Sequence, residues 1–181
     1  MSHPKTLRSD RLTLIASTLE HVRTELEAPE KLSGLLDAAV SPAWPTGEYD
    51  RDAMEFFRAC FEAGGEAVVG WYGWYAVREA DSTGPRALVG AAGYFGPADA
   101  DGTVEIGYSV LPEWQRRGYA SEMVASLVAH AFTFASTKRV IAHTTAANPA
   151  SIAVLSRGGF EAAGLGREGA LRFERSRAPG A

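Results

Sequence analysis

Cysteine is almost absent from this chain: Cys60 is the only one in 181 residues. An intrachain disulfide is therefore excluded, and so is a cysteine-rich metal centre. Long hydrophobic runs are missing too. No stretch approaches the roughly 20 apolar residues of a membrane helix, and Met1-Ser2-His3-Pro4-Lys5 leads into no signal-peptide core. Positive charge is not in excess. Lys and Arg number 18 against 22 Asp and Glu, a formal net charge of −4, so no basic field points to nucleic acid or an anionic membrane. His3, His21, His130 and His143 show no metal-ligand spacing, and no Gly-x-x-x-x-Gly-Lys-Ser/Thr loop occurs. The expectation left standing is a cytoplasmic protein with no metal, nucleic-acid or membrane partner.

What is present is ordinary globular material. Hydrophobic residues make up 46% and charged residues 22%, enough for one domain spanning 1–181 with a full core. Leu7, Leu12, Leu14 and Ala16 predict a first strand over residues 7–16. Ser17-Thr18-Leu19-Glu20 has capping-box spacing, so a helix should follow through Leu26 and stop before Pro29. A short helix is expected over 30–39, a break over 42–45, and a third helix over about 51–63. There Met54, Phe57 and Phe61 share a face with Ala53, Phe56 and Cys60, which reads as a small core residue. Strands over 74–78, 88–95 and 104–110, joined by turn-rich stretches, predict an antiparallel meander.

Residues 104–120 hold the most information. Val104, Ile106, Tyr108 and Val110 alternate with Glu105, Gly107 and Ser109, the period of a strand, and Pro112 ends it. Gln115-Arg116-Arg117-Gly118-Tyr119-Ala120 then opens an apolar-periodic helix carrying Met123, Val124, Leu127, Val128 and Ala131. A helix start with basic residues and a glycine suits phosphate, because free N–H groups and the helix dipole converge there. A strand over 139–145 follows, and strand, crossover helix, strand implies parallel pairing. Asn148 and Pro149 suit the N-cap and first position of another helix. That helix should end at Gly158-Gly159, with short strands from Phe160 and over 170–175, and a tail from Ala178.

The segment from Gln115 to Ala120 resembles the Q/R-x-x-G-x-G/A acyl-CoA signature of the GNAT N-acetyltransferase superfamily, and Glu105-Ile106-Gly107-Tyr108 resembles the strand leading into it. Asn148 to Ser151, with Ile152 and Gly159-Phe160, resembles the family's N-x-x-A/S-I…GF segment. The element order of nearly the whole chain is similar to the family's, and the opening strand and helix resemble the branch of ribosomal-protein N-terminal acetyltransferases. The resemblance implies an α/β (α+β) fold: a mixed, mostly antiparallel twisted sheet with a parallel pair of central strands, flanked by helices. It implies acetyl-CoA as cosubstrate and direct transfer to a primary amine, either a protein N-terminus or a small amine. Gln115, Arg116, Arg117, Gly118, Tyr119 and Ala120 would hold the pyrophosphate. Asn148 would meet the pantetheine arm, and the N–H of Val110 the oxyanion.

An amine attacks a thioester only when neutral, so a base must take its proton. Glu105 is the candidate. The family's usual acid, a tyrosine seven residues after the asparagine, is replaced by Leu155, which moves the acid role to Ser151. A thiol pKa of about 8.5 makes the thiolate a fair leaving group, so a strong acid is not required. Leu155 also admits a second reading, a non-catalytic acyl-CoA-binding or regulatory protein on the same fold. A third is nucleotide binding through the same phosphate-holding turn. His143 can approach the site but reads more simply as core or surface. Trp44, Trp71, Tyr72, Trp74 and Tyr94 read mostly as core or sheet-face residues, with Trp44 and Tyr72 on loops able to border an acceptor pocket. Gly164-Leu165-Gly166-Arg167-Glu168-Gly169 reads as a turn rather than a dinucleotide loop, since no βαβ unit follows. Monomer and homodimer are both compatible with the sequence.

Overall fold

The structure is a computed structural model describing residues 5–47 and 49–178. His3 and the end of the tail lie outside the described residues. Eight strands form one sheet: β1 (Thr6–Arg8), β2 (Leu12–Ala16), β3 (Gly73–Arg78), β4 (Ala87–Tyr94), β5 (Thr103–Val110), β6 (Arg139–Thr144), β7 (Glu161–Leu165) and β8 (Leu171–Ser176). Their order is β1-β2-β3-β4-β5-β6-β8-β7. Every neighbouring pair is antiparallel except β5 and β6, which are parallel. The expected mixed sheet with one parallel central pair is what forms.

Five α-helices flank it: α1 (Leu19–Glu27), α2 (Leu32–Leu36), α3 (Arg51–Gly64), α4 (Tyr119–Ala131) and α5 (Pro149–Arg157). The apolar stripe of α4, from Tyr119 to Ala131, packs with Leu155 of α5 against Tyr94, Val104, Ile106 and Val140. On the opposite face, Val22 of α1 and Met54 and Phe61 of α3 pack with Ala91 of β4. Residues of β5 therefore divide by parity: Val104 and Ile106 serve the α4 side, while Glu105, Gly107 and Ser109 face the α1–α3 side.

Three local expectations are corrected. The single strand over 7–16 is a hairpin, because Ser9 and Leu12 close a turn through both the Ser9 backbone and its Oγ. The N-cap of α1 is Thr18, whose Oγ1 accepts from the His21 N–H; Ser17 is buried instead and donates to the Gly73 carbonyl, pinning the helix start to β3. Phe56 of α3 is 50% exposed rather than core, and Cys60 is only half-buried.

The feature that matters for function is a break in the ladder. β5 and β6 pair from Thr103/Arg139 as far as Ile106/Ala142, and no further. Both strands run on, β5 to Val110 and β6 to Thr144. The Leu111 N–H donates to Val89 and the Glu105 carbonyl accepts from Phe95. Odd-numbered residues of β5 thus turn their backbone groups toward β4, and by alternation Tyr108 and Val110 turn theirs into the gap.

Candidate active site

The gap opens into a cavity of about 500 Å³ whose wall includes Tyr108, Ser109, His143, Thr144, Asn148 and Ser151. At one end lies the start of α4. Arg116 (φ 59°) and Gly118 (φ 85°) both adopt left-handed backbone, and Gly118 caps the helix without any side-chain bond. The alternating sign of φ bends successive N–H groups into a concave row. Among the described residues, no protein acceptor meets the N–H groups of residues 116–121. Free donors at a helix start are what a pyrophosphate requires.

The side chains of this segment have other duties. Gln115 Nε2 donates to the Val110 carbonyl at 3.0 Å, leaving the Val110 N–H as that residue's free group toward the gap. The Arg117 guanidinium lies 4.9 Å over the Trp114 ring and donates to the Glu113 carbonyl. The Tyr119 ring is buried. Arg116 is exposed. Gln115, Arg117, Tyr119 and Ala120 therefore offer a shaped backbone more than side-chain contacts. Arg11, from the β1–β2 turn, braces the segment: it donates to the Arg117 carbonyl at 2.8 Å and pairs with Glu122. Nothing in its local sequence marks Arg11 for this role.

Asn148 caps α5, its Oδ1 accepting from the Ser151 N–H at 3.0 Å. Ser151 Oγ lies 2.9 Å from the Tyr108 hydroxyl. A tyrosine hydroxyl thus does reach this end of the gap, from β5 rather than from α5. Burial pushes the Tyr108 phenol above its ordinary value, so it keeps its proton. Leu155, where the family's tyrosine would stand, is fully buried core.

Glu105 sits where the ladder ends, its side chain only 19% exposed. Its Oε1 is 2.8 Å from His143 Nδ1 and its Oε2 is 3.2 Å from the Arg167 guanidinium. His143 lines the cavity, and Glu105 stands one hydrogen bond behind it. The imidazole is also boxed in from the β7–β8 turn, since a Cβ at Gly166 would come within 2.2 Å of its Nε2. His143 and Arg167 are the partners that sequence alone did not bring to Glu105. The parallel register carried the signal for His143: Glu105 pairs with Ile141, and His143 follows two residues on, on the same face.

Trp44 and Tyr72, the two loop aromatics able to border an acceptor pocket, do not line the cavity. Trp44 donates from Nε1 to the buried Glu25 carboxylate at 2.7 Å. Tyr72 packs its ring on Phe56, Phe57 and Phe61 of α3. The aromatic lining comes instead from Tyr49, Phe56, Phe57 and Phe95.

The sequence model of the acetyltransferase (GNAT) domain matches residues 11–161. The chain belongs to the GNAT acetyltransferase family. An uncharacterized N-acetyltransferase of Bacillus subtilis, YoaA, is 33% identical over 87 residues, covering 48% of this chain and 46% of that protein. The match thus spans about half the length of that curated relative. Among solved structures, an acetyltransferase from Agrobacterium tumefaciens has a TM-score of 0.61 at 20% identity, covering 98% of this chain and 97% of that one. The ribosomal alpha-N-protein acetyltransferase RimL, in complex with coenzyme A, gives 0.62 at 18%, over 95% and 98%. An aminoglycoside acetyltransferase in complex with coenzyme A and kanamycin gives 0.62 at 17%, over 92% and 95%. At these identities the structural likeness establishes the GNAT fold alone. No helix among the described residues is long and apolar enough to cross a membrane.

Proposed function

We propose that this protein is an acetyl-CoA-dependent N-acetyltransferase that transfers acetyl directly to a primary amine. The observation that carries the proposal is the break between β5 and β6, with free donors at one end and the Glu105–His143 pair at the other. The 116–121 N–H groups would hold the pyrophosphate, and Asn148 with the open edge of β5 would flank the pantetheine arm. The acetyl group supplied by the cosubstrate would then lie near Val110, whose N–H is free to meet the oxyanion.

The amine nitrogen attacks the thioester carbonyl from the α1–α3 side. The C–N bond forms and, as the tetrahedral adduct collapses, the C–S bond breaks. Glu105 and His143 share a hydrogen bond, so they take the amine's proton as a unit, with His143 at the cavity wall and Glu105 holding the charge. Arg167 keeps the carboxylate oriented. Ser151 and Tyr108 offer hydroxyl hydrogens to the departing thiolate, standing in for the tyrosine that Leu155 replaces.

The test is release of thiol from acetyl-CoA over a broad panel of amines. Glu105→Gln should lower kcat/KM by about 10²–10⁴-fold, the range of general-base catalysis, while acetyl-CoA still raises the melting temperature. Unchanged kcat/KM in that variant would remove Glu105 from the base role. Leu155 favours one competing reading, a non-catalytic acyl-CoA-binding protein. That reading prevails if acetyl-CoA stabilises the fold and no amine in the panel is acetylated.

A further inference from the structure

The acceptor half of the cavity has an unusual make-up. Its floor is the side-chain-free pair Gly93 and Gly107, which lie opposite each other on β4 and β5. One wall is Tyr49, Phe56 and Phe57, and the far rim is Phe95. Phe56 is 50% exposed and Phe95 57% exposed, although both are large apolar rings. Phe56 leans on Phe57 and Tyr72, and Phe95 lies against Gly107, where an added Cβ would come within 3.3 Å of its ring. Tyr49 presents its ring to the cavity but turns its hydroxyl away, donating to Glu25 at 2.5 Å.

Glu105, one hydrogen bond behind the cavity wall, has both oxygens engaged, by His143 and by Arg167. The amine gives up its proton at Glu105–His143 and leaves the rest of the molecule to the rings.

We infer that the acceptor is a primary amine carrying an arylmethyl or similarly bulky apolar group on the carbon chain next to the nitrogen. This deepens the N-acetyltransferase reading and rests on it. The amine points through the gap toward Val110, and the apolar group lies between Phe56 and Phe95. The same chemistry is offered by a free arylalkylamine and by a peptide whose first residue is aromatic.

The full-length chain is assayed for thiol release with acetyl-CoA and five acceptors: 2-phenylethylamine, a peptide amide beginning with Phe, one beginning with Ser, ethylamine and spermidine. At least one of the two aryl acceptors should exceed ethylamine and spermidine in kcat/KM by about 10–100-fold, the worth of burying one aromatic ring. Activity on 2-phenylethylamine identifies the free amine as sufficient, and activity confined to the Phe peptide identifies a protein N-terminus. Phe56→Ala and Phe95→Ala, both at exposed positions that tolerate truncation, should raise KM for the aryl acceptor several-fold without raising KM for acetyl-CoA. Equal use of spermidine or the Ser peptide overturns the inference and leaves the N-acetyltransferase reading intact. Failure of every amine, with acetyl-CoA still bound, overturns both.

Discussion

Replacing Glu25 tests how the acceptor wall is held. This carboxylate is buried and takes three donors: Trp44 Nε1 at 2.7 Å, the Tyr49 hydroxyl at 2.5 Å and the Tyr75 hydroxyl at 2.6 Å. Burial raises its pKa, against the lowering effect of those hydrogen bonds. In Glu25→Leu the Trp44 indole N–H is orphaned, at a cost of about 1–3 kcal/mol. The two hydroxyls can still meet each other, and loss of the desolvated carboxyl offsets part of the cost. The net destabilisation should be about 1–3 kcal/mol at most, or roughly 2–12 °C in Tm for a domain of this size. Glu25→Gln keeps one acceptor for the tyrosines and sets an NH2 against Trp44, so it should cost about 1–2 kcal/mol.

The pH dependence separates this account from simple packing loss. A raised pKa means that folded Glu25 holds its proton where the unfolded carboxyl, near about 4.3, has released it. The group's stabilisation is therefore complete below that unfolded value and is lost as pH rises through the folded one. Urea unfolding of wild type and Glu25→Gln should show the largest difference near pH 4, shrinking toward pH 7. His21 and other groups titrate in both proteins and cancel. A difference that grows with pH would refute the reasoning, because it would mean that the anion, not the acid, is favoured in the fold.

Two further outcomes follow from positions around the gap. Gly166→Ala puts a Cβ within 2.2 Å of His143 Nε2, so it should displace the imidazole from Glu105 and cut kcat by tenfold or more, with KM for acetyl-CoA unchanged; unchanged kcat would mean that the His143–Glu105 contact is not used. Gly118→Ala forces a side chain into left-handed backbone at φ 85°, costing about 1–2 kcal/mol, and it should weaken coenzyme A binding as read by calorimetry.

The element order was legible because each element had a clean period: alternation in β5, a helical stripe in α4, and an N-cap at Asn148 that the structure keeps. The placing of Asn148 and Ser151 on the cavity wall followed from the parallel β5–β6 pair. What was not legible depended on contacts far apart in sequence. The β1–β2 hairpin had turn residues at Ser9-Asp10, masked by apolar positions on both sides. Glu25 looked like any helix carboxylate; only folding brings Trp44, Tyr49 and Tyr75 onto it. Arg167 reaches Glu105 from a turn between the last two strands, and no local pattern marks that approach.

Tyr49 and its neighbours on the cavity wall differ in how freely they can change. Tyr49 is bound into the interior by its hydroxyl, so altering it disturbs the fold as well as the pocket. Phe56 and Phe95 are half in solvent and hold little else in place. Acceptor scope can therefore drift by single substitutions at these two positions while the catalytic gap and the core stay untouched. Such a division makes the two most exposed rings of the cavity wall those whose loss the protein survives.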